Sequence, residues 1–191
     1  MGRSIVGFMT LSVFLILSGC WILSFHPLYF EDDLIFDDTL LGDWETWEED
    51  QDDVERWTFL RDKDQSYRLI VTDEHGVEGE FDGHLLRLDD ILYLDLFPRE
   101  PETGNEFHYG HLVPCHSFLR IALESDELRL RIMDSDWLDD RLKDGRIKIE
   151  HTRCKDGFIL TATTKTLQKF IRKYADEAFS EEAGILKRIQ E

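Results

Sequence analysis

Between Arg56 and Ile132 the apolar residues recur at every second position across much of the chain, and this period restricts the fold more than any other feature. Successive side chains of a β-strand point to opposite faces, so the alternation marks half-buried strands. Trp57 and Phe59 alternate with Arg56 and Thr58, and Tyr67, Leu69 and Val71 alternate with Arg68 and Thr72. Val77, Phe81 and Leu85 share a face with Gly79 and Gly83, which leaves Glu78, Glu80, Asp82 and His84 on the other. Ile91–Phe97 is a more fully apolar strand. Leu119, Ile121 and Leu123, then Leu128, Leu130 and Ile132, continue the pattern. Glu74-His75-Gly76, Asp89-Asp90 and Ser125-Asp126 supply short turns, so the connections predict an antiparallel meander. The expected fold is mainly β, a barrel or strongly curled sheet. Almost all inward residues are large, so the interior is expected to be filled, with any cavity narrow and beside Gly79 and Gly83.

The period changes after Ile132. Asp136–Lys143 reads as a short helix capped by Asp134 or Ser135. Ile147 and Ile149, then Phe158–Ala162 beyond Asp156-Gly157, read as a hairpin. Thr163 or Thr164 opens a C-terminal helix that places Leu167, Phe170, Ile171 and Tyr174 on one face. Glu181–Gln190 reads as a second, weaker helix. Pro98–Gly110 is the longest irregular stretch and the expected contact loop.

The N-terminus carries a different signal. Ile5–Phe25 is 21 residues without a formal charge, preceded by Arg3. A secretory apolar region runs about 7–15 residues and a spanning helix about 20. Near the end of the run, Leu17-Ser18-Gly19-Cys20 resembles the bacterial lipobox, in which the chain is cut before the cysteine and the cysteine is acylated. That resemblance implies a signal peptide over 1–19, a lipidated Cys20 with a tether over 20–40, and a domain over 41–191. It also implies membrane attachment at the cell envelope, with Trp21 rather than Asp after the cysteine resembling an outer-membrane address. The alternative is a single uncleaved transmembrane anchor extended by Trp21-Ile22-Leu23-Ser24-Phe25. Apart from Trp44, residues His26–Asp53 are expected to add little to the core.

Two further resemblances concern the body. His26-Pro27-Leu28-Tyr29, Asp33-Leu34-Ile35-Phe36-Asp37 and Leu40-Leu41-Gly42-Asp43-Trp44 resemble the start of a group of uncharacterised bacterial lipoproteins. Gly42-Asp43-Trp44 ahead of a meander and a late helix also resembles the lipocalin superfamily. That likeness implies a lipocalin-like barrel, with Gly42 and Trp44 as structural residues and Trp44 under the barrel floor.

The formal charge of -19 disfavours nucleic acid as a partner, because phosphate backbones are repelled. The acidic run of Asp43, Glu45, Glu48, Glu49, Asp50, Asp52 and Asp53 reads as a solvated loop, since it lacks the order of ligands and glycine of an EF-hand. No nucleophile elbow, zinc-protease helix, phosphate loop or Cys-x-x-Cys is present in the sequence, so neither catalysis nor a cofactor is expected. His108, His111 and His116 are the weak candidates for a metal, although a spacing of five sends His111 and His116 to opposite faces of a regular strand. Cys115 and Cys154 are candidates for a disulfide in an oxidising compartment, which would close a loop of about forty residues and stabilise by roughly 3–4 kcal/mol. The expected function is a non-catalytic, lipid-anchored binding or interaction module. Its partner is a protein or a small apolar ligand; the alternatives are a lipocalin-type carrier and an envelope hydrolase.

Overall fold

A computed structural model describes residues 21–47, 54–63, 65–100, 105–155 and 157–190. The strands, in chain order, are β1 (Trp21–Ser24), β2 (Gly42–Thr46), β3 (Arg56–Arg61), β4 (Tyr67–Thr72), β5 (Glu78–Leu88), β6 (Ile91–Pro98), β7 (Ser117–Leu123), β8 (Glu127–Arg131), β9 (His151–Cys154), β10 (Gly157–Leu160) and β11 (Gly184–Arg188). The helices are α1 (Glu106–Tyr109), α2 (Ser135–Lys143) and α3 (Thr164–Tyr174). Eight strands form a closed antiparallel barrel in the order β11-β2-β3-β4-β5-β6-β7-β8. Seven of them follow one another along the chain, as an alternating pattern with short turns requires. The eighth, β11, pairs with both β8 and β2 and shuts the ring.

The registers carry the inward face around the barrel. Trp44 faces Trp57, Trp57 faces Val71, and Val71 faces Gly79. Leu85 faces Leu94, Leu94 faces Leu119, Ile121 faces Leu130, and Leu128 faces Leu186. Apart from Gly79, these residues form one apolar cluster or pack against it, as do the large inward residues expected from the alternation except Val77, which is 63 % exposed. The two small positions on β5 leave little room. A Cβ at Gly83 would sit 3.5 Å from the Tyr67 Cβ and 3.6 Å from Leu96 Cδ2, and one at Gly79 would sit 3.5 Å from the Phe81 ring.

A second core lies outside the barrel wall. Leu86 and Leu88 of β5, Tyr93 of β6 and Phe118 of β7 pack against Leu167, Phe170 and Ile171 of α3 and Phe158 and Leu160 of β10. This explains why Ile91–Phe97 is apolar on both faces: β6 has the barrel interior on one side and this layer on the other. The layer includes a small sheet, β1-β10-β9, in which β1 runs parallel to β10. α2 begins with Asp134 as its cap, the carboxylate accepting from the Asp136 and Trp137 N–H groups at 2.9 Å.

Three expectations are overturned. Residues 181–190 do not form a helix, because their middle is β11. A helix there would leave β2 and β8 with open edges, and Leu186 fits the inward alternation instead. The segment 20–40 is not a tether over its described part. It opens as β1, and Ile22, Ser24, Leu28 and Leu40 are all buried. The Ile35 N–H donates to the Leu85 carbonyl at 2.9 Å, and Ile35, Phe36 and Leu41 pack against the inner cluster. The expectation that His26–Asp53 adds little to the core beyond Trp44 fails for the same reason.

Candidate functional site

Among the described residues, side chains capable of recognition or chemistry gather at one end of the barrel, on the outer wall at β5 and β6, and in the segment between β6 and β7.

At the barrel end, Trp44 is fully buried and its Nε1 donates to the Leu40 carbonyl at 3.0 Å. The Arg188 guanidinium lies 4.1 Å over the indole. It also donates from Nη1 to the Leu41 carbonyl at 2.8 Å, from Nη2 to the Thr39 carbonyl, and from Nε to the Ser125 carbonyl at 3.2 Å. One side chain of β11 thus holds the lead into β2. Gly42 has φ +110°, and a Cβ there would sit 3.1 Å from Arg188 Nη1, so glycine is required both for its backbone and for this close approach. Phe36 stacks on Tyr67 at 4.6 Å, and the Tyr67 hydroxyl accepts from the Asp37 N–H at 2.7 Å. Burial pushes the Tyr67 phenol up to about 12. Gly42 and Trp44 therefore have structural surroundings.

On the outer wall, Asp95 points away from the barrel interior and is fully buried. Its carboxylate accepts from the Leu28 N–H at 2.8 Å, and His116 Nδ1 lies 2.7 Å from its other oxygen. The His116 ring packs on Phe97 at 4.6 Å. His84, the register partner of Asp95 on β5, stacks on Tyr29 at 4.5 Å, and its buried Nδ1 makes no hydrogen bond. Burial holds the His84 imidazole below its ordinary range, although the Asp95 and Asp82 carboxylates pull the other way. Burial, then the charges of Asp95 and Asp82, push the Tyr29 phenol up to about 12. Farther along, Arg99 Nε donates to Asp82 at 2.6 Å while Nη2 reaches Asp62.

A buried carboxylate orienting an imidazole is half of a nucleophile-activating arrangement. Ser24 is the nearby hydroxyl residue, because its backbone exchanges two 2.8 Å hydrogen bonds with that of His116. Its Oγ, however, donates to the His26 carbonyl at 2.7 Å and accepts from the His26 N–H at 3.2 Å. The Asp95 pair instead fastens residues 24–29 to the barrel wall. Sequence reading missed Asp95; the signal was a lone carboxylate inside Ile91–Phe97.

Between β6 and β7, α1 presents a shallow hollow lined by Asn105, Phe107, His108 and His111. Phe107 is 79 % exposed, with its ring 4.6 Å from that of His111. His111 Nδ1 lies 2.6 Å from the Phe107 carbonyl. The three histidines considered for a metal are not gathered together: His108 and His111 stay at this exposed turn, whereas His116 is nearly buried against Asp95. No group of three or more His, Cys, Asp or Glu side chains able to hold a metal occurs among the described residues.

Cys115 and Cys154, the candidate pair, are both free thiols in this structure. Cys115 is half-buried with Sγ 3.6 Å from the Val113 carbonyl, and burial followed by the nearby Cys154 pushes its thiol up. Cys20 lies outside the described residues, as do Glu48, Glu49, Asp50, Asp52 and Asp53 of the acidic run. The remaining part of that run is ordinary surface: Asp43 accepts from the Thr58 hydroxyl at 2.5 Å.

The fold thus defines an eight-stranded meander barrel with an α/β layer on one wall. No family model, no curated protein and no solved structure matches the chain. No helix among the described residues is long and apolar enough to cross a membrane.

Proposed function

We propose that this protein is a lipid-anchored cell-envelope module that acts by binding a protein partner at its surface and performs no catalysis. The observation that carries this reading is the filling of the barrel. Trp44, Trp57, Phe59, Tyr67, Leu69 and Leu94 are among the large side chains buried in one inner cluster, and Ile35, Phe36 and Leu40 join it from the N-terminal segment. Carriers of apolar molecules need interior volume that such side chains occupy. Recognition therefore moves to the outside, where the turn bearing Phe107 is a small apolar surface flanked by polar groups. Cys20, near the end of the uncharged run, supplies the anchor.

The test is titration of a soluble form beginning at Trp21 with a fluorescent fatty acid, read by tryptophan quenching. The expected result is no saturable binding. One-to-one binding tighter than about 1 μM, roughly 8 kcal/mol, would replace this reading with a carrier function.

A further inference from the structure

The uncharged N-terminal run does not end at Cys20; it continues through Phe25, and its last residues form β1. The alternation splits that strand. Ile22 and Ser24 face the second core and are buried, while Trp21 is 37 % and Phe25 44 % exposed on the opposite side, with Leu23 half-buried between them. The register of β1 against β10 places Gly157 beside Trp21 and Ile159 beside Leu23. On the other side, Ser24 bridges His116, which follows the segment between α1 and β7 that carries the exposed Leu112 and Val113. In a sequence with 33 % charged residues, this outer row of Trp21, Leu23, Phe25, Gly157 and Ile159 carries no charge at all.

We propose that this outer face of the β1-β10 sheet, with Leu112 and Val113 at its border, rests on the lipid bilayer. The inference rests on the anchored reading above in its acylated form, in which the chain leaves the membrane at Cys20, immediately before Trp21. Because β1 begins at that residue, no linker separates the bilayer from the sheet. Charge selects the same face. A chain of net -19 is repelled by anionic headgroups over most of its surface, and a neutral apolar row can approach. Aromatic rings such as Trp21 and Phe25 suit the headgroup boundary, where one part of the ring system is apolar and its surroundings are wet. The ambiguous length of the apolar run also has an explanation here: part of it is core, and part is membrane contact.

The test uses the full chain reconstituted into phosphatidylcholine vesicles carrying bromine at carbons 6 and 7 of one acyl chain. Trp21 and Trp47 are the exposed tryptophans, so the wild type is compared with Trp21→Phe and Trp47→Phe. Bromine should quench the wild type and Trp47→Phe, and that quenching should be lost in Trp21→Phe. Val113→Trp in the Trp21→Phe background should restore it, while Val77→Trp, in the β4–β5 turn, should not. Equal quenching in all variants, or none, in protein that co-sediments with the vesicles would overturn the proposed face. Protein that stays in the supernatant would overturn the anchor itself, and this inference with it.

Discussion

Replacing Asp95 by alanine tests whether a buried carboxylate holds the N-terminal segment against the barrel. Asp95 is fully buried and accepts from two donors, the Leu28 N–H at 2.8 Å and His116 Nδ1 at 2.7 Å. Asp95→Ala strands both. A buried donor left without its acceptor costs about 1–3 kcal/mol. Two donors lose their acceptor here, so the expected cost is at least about 2 kcal/mol. For a domain of this size that lowers Tm by about 4–8 °C. The assay is thermal unfolding followed by near-ultraviolet circular dichroism, with Glu124→Ala as an exposed control expected to stay within about 0.5 kcal/mol. A double-mutant cycle with His116→Ala should show coupling of about 1–3 kcal/mol. A cost below about 1 kcal/mol for Asp95→Ala, or strict additivity with His116→Ala, would refute the argument.

Leu28 should behave as a core residue: it is fully buried, so Leu28→Ala should cost about 2–5 kcal/mol in the same assay, where an exposed linker residue would change stability by under about 0.5 kcal/mol. His84 predicts a pH dependence. Burial lowers its imidazole pKa in the folded state, against opposing Asp95 and Asp82. The unfolded state therefore binds the proton more readily, and the stability associated with neutral His84 is present above about pH 6.5 and lost as pH falls through the lowered folded value. The wild-type Tm should drop more than that of His84→Gln between pH 7 and pH 5; parallel curves would remove His84 as the cause.

Much of the barrel is legible in the chain because its information is local. Trp57, Phe59, Tyr67, Leu69 and Val71 declare their face through the two-residue period, and a strand's alternation survives wherever one side meets the core. The helices α2 and α3 are legible for a similar reason, since caps and the 3.6-residue period act within a few positions. Trp44, too, announces itself by size and by Gly42 two places earlier.

What the chain conceals depends on partners distant in sequence. β11 is five residues that read as a poor helix, and it becomes a strand because β2 and β8 offer it two unpaired edges. Leu28 and Asp95 meet across 67 positions, and Arg188 reaches Leu41 across 147. No local pattern encodes such pairings, since each is set by the closed ring and by the layer laid over its wall. The same holds for β1. Its sequence alone allows a signal, an anchor or a tether, and only its place beside β10 gives it one buried side and one apolar side left open. Period and composition thus determine the barrel and its inward face, while tertiary pairing decides how the ring is closed and where its ends are tied.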